Sequence, residues 1–192
     1  MLENLSAGVR AFTSNAFLVT GDRTVLVDPG ANYDVVAAVR ERVDDLDAVL
    51  VTHPHPDHVG NLAAVTDAFG VDAWGFDADS ADIDHGLADG DTLRIGDDEY
   101  EVLHTPGHEP NHLCFYSRAA GVLFSADLVF ASGGFGRTDL AGGDRDVLVD
   151  SIERLLDVVD DDLAAMHPGH GPSVTDDPYF DIELAARTAT FQ

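Results

Sequence analysis

The most informative absence in this sequence is lysine. The 192 residues contain none, so all 10 basic residues are arginines. The sequence also contains 36 acidic residues, so its formal net charge is −26 at pH 7. Neither a basic patch nor a basic helix is available for nucleic acid or for an anionic membrane, and we expect neither as a partner.

The acidic residues are mostly aspartates and are spread along the chain rather than held in one tail. A dispersed acidic surface without lysine fits a protein from a salt-rich cytoplasm, where ions screen the repulsion between like charges. An ordinary acidic mesophilic protein would usually keep some lysine. The composition therefore predicts a halophilic protein.

Cysteine and long apolar runs are also scarce. The single cysteine, Cys114, excludes an intrachain disulfide framework and a cysteine-rich zinc site. The N-terminus lacks the charged and apolar regions of a signal peptide, and no apolar run approaches membrane-spanning length. We therefore expect a cytoplasmic protein with no membrane partner. Its length and its 45% of hydrophobic residues suit one full-sized domain over residues 1–192.

Apolar runs of strand length alternate with segments of helical periodicity. Strands are predicted at 9–12, 16–20, 24–27, 48–51, 73–74, 93–95, 100–103, 113–116, 122–125 and 163–166. Helices are predicted at 33–43, 57–69, 146–159 and 180–190, with a surface loop at 77–91 and a glycine-rich loop at 133–139. This order indicates an α/β (α+β) domain in which helices cover sheets.

The segment from His53 to His58 places three imidazoles and one carboxylate within six residues, directly after the apolar run 48–51. Its two prolines rule out a regular helix across residues 53–56, so this part is a loop. A loop at the end of a buried strand holds metal ligands rigidly. We interpret the segment as a metal site rather than as a polar turn.

Three further strand ends carry ligand-type residues: His108, Asp127 and His170. Together with His53, His55, Asp57 and His58 they exceed the four ligands of one tetrahedral zinc ion. The set suits two ions about 3.5–4 Å apart that share a carboxylate. Nitrogen and oxygen ligands without a thiolate favour zinc, iron or manganese. The sequence thus predicts two divalent metal ions, with zinc as the first choice.

On these motifs the chain resembles the metallo-β-lactamase superfamily. The signature H-x-H-x-D-H is matched by residues 53–58, and later motifs of the family are matched at 105–108, 124–127 and 168–171. The resemblance implies the four-layer αβ/βα sandwich of the metallo-β-lactamase fold. It also implies roles for the ligands: His53, His55 and His108 hold the first metal, Asp57, His58 and His170 hold the second, and Asp127 bridges them.

Asp28 falls where the family keeps a supporting aspartate, although it also suits a turn that simply ends a strand. Within the superfamily, the loop 136–140 is similar to that of short glyoxalase II-like enzymes and to the G-R-T-D loop of iron-dependent persulfide dioxygenases. His112 occupies an offset that glyoxalase II also fills with histidine. Glyoxalase II proper has a C-terminal helical domain for glutathione, which we do not expect here, so another small thiol carrier is an open alternative.

The resemblance implies hydrolysis of a small-molecule thioester by a metal-bound hydroxide. Asp57 would take the proton of the water, and Arg137 would contact an anionic substrate. Arg137 as an ordinary surface residue paired with an acid is the alternative. An iron-dependent persulfide dioxygenase is the rival activity, since it keeps the same ligand-type residues. The remaining histidines and Cys114 are interpreted as packing, supporting or surface residues.

Overall fold

The computed structural model describes residues 1–76 and 82–191, so residues 77–81 of the predicted acidic loop lie outside the described part. The chain forms two compact units. The first unit comprises Met1–Ala88 and Leu93–Glu99, and the second comprises Asp89–Thr92 and Tyr100–Gln192. No described helix is both long and apolar enough to cross a bilayer.

The first unit is built on a six-stranded sheet in simple sequence order, β1-β2-β3-β4-β5-β6. The strands are β1 (Leu2–Asn4), β2 (Phe17–Val19), β3 (Val25–Val27), β4 (Ala48–Leu50), β5 (Ala73–Gly75) and β6 (His85–Gly86). The first two pairings are antiparallel and the remaining three are parallel. Strands β3 and β4 are apolar and entirely buried, as central parallel strands require.

Three helices accompany this sheet: α1 (Val35–Arg40), α2 (Pro56–Val59) and α3 (Leu62–Phe69). Helix α1 begins after Asp34, whose side chain accepts a hydrogen bond from the Ala37 amide. Helix α3 ends at Gly70 in the left-handed conformation. Apolar residues of α1 and α3, among them Val39 and Val65, pack with Val49 of β4 in one core.

The second unit contains most of a five-stranded sheet of order β13-β10-β9-β8-β7. The strands are β7 (Thr92–Ile95), β8 (Asp98–His104), β9 (Leu113–Ser117), β10 (Val122–Ala126) and β13 (Ala165–Pro168). A short hairpin of β11 (Val129–Phe130) and β12 (Gly134–Phe135) follows β10. Helices α4 (Arg145–Val158) and α5 (Pro178–Phe191) pack against this unit's own core through residues such as Leu148, Ile152 and Ile182.

The mixed α/β class is confirmed, and so are most of the predicted elements. The predicted strand at 9–12 is wrong, since these residues form no strand and only 11–12 form a bend, and β1 pairs with β2 instead. The predicted helix 57–69 is interrupted at Gly60 and Asn61. At Gly60 the chain passes so close to Ala31 that a Cβ atom would lie 2.7 Å from the Ala31 side chain. The predicted loop at 133–139 includes β12.

Candidate metal centre

In the first unit, four ligand-type residues follow β4 within one short segment. His53 and His58 are buried, whereas His55 and Asp57 are partly exposed. Pro56 occupies the first position of α2 and Asp57 lies in its first turn. The two prolines exclude a regular helix across residues 53–56. Pro56 can nevertheless begin α2, because proline is tolerated at the first helical position.

His53 is oriented by a hydrogen-bond chain that begins at Asp28. The Thr52 hydroxyl lies 2.7 Å from Asp28 Oδ2 and 3.0 Å from His53 Nδ1. A carboxylate only accepts, so the hydroxyl donates to Asp28 and its oxygen accepts from His53 Nδ1–H. The Nε2 atom of a neutral His53 then carries the lone pair that a metal requires.

Asp28 orients a second imidazole as well. Its Oδ2 atom lies 2.8 Å from His58 Nδ1, and its Oδ1 atom accepts from the Thr52 amide at 2.9 Å. The buried carboxylate thus fixes the tautomer of His58 and leaves the Nε2 lone pair for a metal. Of the two interpretations of Asp28, these contacts favour the supporting role. Thr52 is a supporting residue that the sequence pattern did not identify, although it directly precedes the motif.

The donor atoms of this segment lie close together. His53 Nε2 and His55 Nδ1 are 3.0 Å apart, and His58 Nε2 is 4.0 Å from Asp57 Oδ2. Donor atoms of His53 and His58 lie within 4.8 Å of each other. Imidazole nitrogens and a carboxylate at such separations are suited to a borderline metal such as zinc, iron or manganese.

In the second unit, the other three predicted ligands also lie together. Asp127 Oδ2 is 3.5 Å from His108 Nε2 and 3.6 Å from His170 Nε2. One carboxylate oxygen between two imidazole nitrogens is an arrangement that suits a bridging ligand. Asp127 and His108 are buried, and His170 is partly exposed.

The backbone of the glycine-rich loop contacts His108. Its Nδ1 atom lies 2.7 Å from the carbonyl oxygen of Arg137, which can only accept, so Nδ1 carries the proton. The loop approaches this closely because residue 136 is glycine. A Cβ atom there would lie 2.9 Å from His108 Cγ and would collide with the Asp127 carbonyl oxygen.

The backbone just before Asp127 is strained. Ala126 has φ +43°, a conformation that L-residues rarely adopt, and the β10–β13 register shifts between Phe124 and Ala126. Asp28, the supporting carboxylate of the first unit, is likewise at φ +52°. Strained backbone at residues next to a candidate site is typical of positions that hold a side chain in one functional orientation.

The Arg137 guanidinium points away from this packing. It makes two hydrogen bonds to the Asp139 carboxylate, and its side chain is 61% exposed. The hydrogen bond from Arg137 lowers the pKa of Asp139 to about 2. In this structure Arg137 is therefore a surface residue paired with an acid, which was the alternative interpretation. Contact between Arg137 and a substrate stays a prediction.

The other singled-out residues have defined environments. His85 is on the surface beside Asp72, and His104 lies 2.7 Å from the Pro110 carbonyl oxygen. His167 is buried, and burial lowers its pKa to about 4. Burial also raises the pKa of the Cys114 thiol to about 12, which fits a core residue rather than a nucleophile.

Comparison with known proteins identifies the family. The sequence model of the metallo-β-lactamase superfamily matches residues 9–170. The hydroxyacylglutathione hydrolase GloC of Haemophilus influenzae is 32% identical over 192 aligned residues, which cover 87% of this chain and 90% of that protein. A longer hydroxyacylglutathione hydrolase of Cereibacter sphaeroides is 38% identical over 124 residues, but the match covers only 49% of its length.

Among solved structures, TTHA1623 in a di-iron-bound form is 32% identical, with a TM-score of 0.76. That match covers 96% of this chain and 98% of the other. The predicted metallo-β-lactamase fold is therefore confirmed, as is the glyoxalase II-like character of the sequence. The chain belongs to the metallo-β-lactamase superfamily.

Proposed function

We propose that this protein is a metal-dependent thioesterase of the glyoxalase II type, which hydrolyses a small acyl thioester. The observation that carries the proposal is the similarity to GloC over nearly the whole of both chains. The proposal is also supported by three imidazoles, those of His53, His58 and His108. In the described structure their Nδ1 atoms contact hydroxyl, carboxylate or carbonyl oxygens, which leaves Nε2 for a metal.

We assign the ligands as the superfamily resemblance implies. His53, His55 and His108 hold one ion, Asp57, His58 and His170 hold the other, and Asp127 is shared. The chemistry of these donors fits two borderline divalent ions. Zinc is our first choice, and iron is supported by the di-iron form of TTHA1623.

The bound ions would supply Lewis acidity and lower the pKa of a coordinated water to near neutrality. Asp57 is our candidate for the group that takes the water's proton, because as a ligand of one ion its carboxylate would lie beside the coordinated water. The leaving thiol has an ordinary pKa of about 8.5, so its thiolate departs without a strong acid. A dedicated general acid is therefore not required in this site.

We further propose that Arg137 binds an anionic group of the substrate. Its guanidinium already makes two hydrogen bonds to one carboxylate, that of Asp139. A planar guanidinium recognises any carboxylate in this two-point manner, so an acidic thiol carrier could replace Asp139 as the partner. The exposure of both side chains makes this exchange inexpensive.

The test combines metal analysis with turnover. Protein purified in high salt is analysed for zinc, iron and manganese, and then assayed with S-lactoylglutathione and with acyl thioesters of other small acidic thiols. We expect about two ions per chain and thioester hydrolysis that a chelator abolishes. The His55→Ala variant should lose turnover while retaining its circular dichroism spectrum, whereas His85→Ala should retain both.

The rival activity gives a different result. One iron per chain together with oxygen uptake on glutathione persulfide, and no thioester hydrolysis, would reassign the protein to the persulfide dioxygenases. Full turnover by His55→Ala would contradict the metal-hydrolase mechanism itself.

A further inference from the structure

His112 is a buried histidine of the second unit that carries no role in the proposed ligand set. Its ring lies between the backbone of Asp127 and the hydroxyl of Thr105. The Asp127 amide donates to His112 Nε2 at 3.0 Å, and His112 Nδ1 is 2.8 Å from Thr105 Oγ1. A histidine in this place can act on Asp127 without touching a metal or a substrate.

The hydrogen-bond donors around His112 fix its tautomer. A backbone N–H can only donate, so Nε2 must be the acceptor and the ring proton must lie on Nδ1. Nδ1–H then donates to Thr105 Oγ1.

The chain of hydrogen bonds continues beyond Thr105, and each group donates to the next one away from His112. The Cys114 thiol donates to the Ser125 carbonyl oxygen at 3.4 Å, so it accepts from the Thr105 hydroxyl, whose oxygen is 3.3 Å from the sulfur. The chain ends at the Ser125 carbonyl oxygen, because a backbone carbonyl oxygen only accepts. The Ser125 hydroxyl separately donates to the Val129 carbonyl oxygen at 2.8 Å. Each hydroxyl and thiol proton in this buried chain therefore has one defined acceptor, and the chain begins at the Asp127 amide.

The Asp127 amide belongs to a peptide with strained backbone. The preceding residue, Ala126, has φ +43°, and its carbonyl oxygen accepts from the Gly169 amide at 2.7 Å. One side of the strained Ala126–Asp127 peptide is thus held by β13 and the turn that follows it, and the other side is held by His112. We expect that removing either contact would let this peptide relax and turn the Asp127 carboxylate away from His108 and His170.

We propose that His112 is a positioning residue: as an obligatory Nδ1–H imidazole, it holds the Asp127 amide so that the Asp127 carboxylate is aimed at the metals. The effect on metal binding rests on the proposed function, whereas the effect on the Asp127 amide does not. On its other side, the ring donates to the Thr105 hydroxyl, which itself donates to the Cys114 sulfur.

The test uses two amides that each replace one nitrogen of the ring. In His112→Gln, the longer side chain can bring an amide oxygen to the place of Nε2 and accept from Asp127. In His112→Asn, the shorter side chain can replace only Nδ1 and leaves the Asp127 amide without its acceptor. His104→Asn is the matched control, because His104 also bonds to a neighbouring oxygen, the Pro110 carbonyl oxygen.

Two readouts are measured on each folded variant. In the chelated, metal-free protein, amide hydrogen exchange at Asp127 should stay slow in wild type and His112→Gln but become fast in His112→Asn. In titrations with Co²⁺, followed by the visible absorption of the bound ion, His112→Asn should lose affinity by about 10–100-fold, as loss of an outer partner of a ligand typically does. His112→Gln and His104→Asn should stay within a few-fold of wild type.

The outcomes separate the two proposals. Equal exchange and equal Co²⁺ affinity in His112→Gln and His112→Asn would overturn the positioning role, whether or not the enzyme hydrolyses thioesters. If wild type binds Co²⁺ and the two variants differ as expected, but no thioester is hydrolysed, the proposed activity fails and the role of His112 stands. If wild type binds no Co²⁺, the metal part of the proposal fails and the exchange rates alone decide whether His112 holds the Asp127 amide.

Discussion

The contact between His58 Nδ1 and Asp28 Oδ2, at 2.8 Å, joins residues that are 30 positions apart and both buried. A buried carboxylate is stable only where donors surround it, and here the donors are the His58 ring and the amide and hydroxyl of Thr52. Thr52 in turn contacts His53. One aspartate therefore sets the orientation of two imidazoles of the metal-binding motif.

Replacing Asp28 with asparagine should weaken metal binding. The amide group of the new side chain would present a donor to either Thr52 or His58, so at least one of the three hydrogen bonds to Asp28 is lost and the His58 tautomer is no longer fixed. We expect metal affinity to fall by about 10–100-fold in Asp28→Asn. Competition titrations with a zinc chelator in high salt measure the change.

Asp34→Asn is the control for this substitution. Asp34 caps α1, and asparagine caps a helix about as well as aspartate, so this variant should keep both its stability and its metal affinity. Identical zinc affinity in the two variants would remove Asp28 from the proposed site.

Substituting Gly136 should disturb His108 and Asp127, two of the proposed metal ligands, by steric contact alone. Gly136 is not in the left-handed region, so alanine brings no backbone penalty, but its Cβ would collide with the Asp127 carbonyl oxygen and press on His108. We expect Gly136→Ala to lose most of the proposed thioesterase activity and about 1–3 kcal/mol of stability, as overpacking at a buried position does. Urea unfolding and kcat measurements report the two effects.

Gly70→Ala separates steric crowding from backbone strain. Gly70 has φ +64°, and a Cβ atom added there would meet no atom within 4 Å, so alanine at this position is strained but not crowded. This variant should lose about 1 kcal/mol of stability with unchanged kcat. Wild-type kcat in Gly136→Ala would contradict the close packing of the loop on His108 and Asp127.

Much of this arrangement could be predicted from the sequence because local patterns determine it. The apolar run at 48–51 and the prolines at 54 and 56 indicate a strand followed by a loop, and the structure has β4 there with α2 beginning at Pro56. The helical periodicity before Val159 likewise predicts α4 to within a residue at each end. In both segments the neighbouring residues carry all the information that the local structure needs.

The contacts that support the proposed ligands could not be predicted in the same way. The Arg137 contact to His108 uses a backbone carbonyl oxygen, which leaves no signal in residue type. Ala126 lies in the left-handed region without being glycine, and its carbonyl oxygen accepts a hydrogen bond from the Gly169 amide, which is distant in sequence. The strand expected at 9–12 does not form, and the residues that follow it, Thr13 and Ser14, bond to Ala31 and Asp57. Only the folded chain reveals such partners.

The ion pair between Arg137 and Asp139 should compete with substrate binding. Neutralising Asp139 leaves Arg137 with one fewer anionic partner, so Asp139→Asn should lower KM for an acidic thioester by about 2–5-fold, within the range of a surface ion pair. Arg137→Ala should raise KM by a larger factor and leave kcat little changed, since binding that is uniform in ground and transition state affects KM alone.

Arg187 provides the matched control for Arg137. It is equally exposed and pairs with Glu183 on α5. Arg187→Ala should leave KM unchanged at every salt concentration. An Arg137→Ala variant with the KM of Arg187→Ala would show that the guanidinium of Arg137 does not contact the substrate.

Acid should destabilise the protein partly through His167. Burial lowers the pKa of His167 from 6.5 to about 4, so above pH 6.5 the side chain is neutral in both the folded and the unfolded chain. Between pH 6.5 and about 4 the unfolded chain binds a proton that the folded chain does not, and stability therefore falls as the pH falls. Below about pH 4 both states bind it, and the loss reaches its limit of about 3 kcal/mol.

His167→Asn isolates this contribution from that of the many carboxylates. An amide can replace His167 Nδ1 beside the Ser173 hydroxyl, 2.8 Å away, but it does not titrate. The free energy of unfolding, measured by urea at constant high salt, should fall less steeply between pH 6.5 and about 4 in His167→Asn than in wild type. His85→Asn should keep the wild-type slope, because the His85 ring is on the surface. Parallel curves for wild type and His167→Asn would mean that His167 is protonated in the folded protein at these pH values, with its buried ring rearranged to admit the charge.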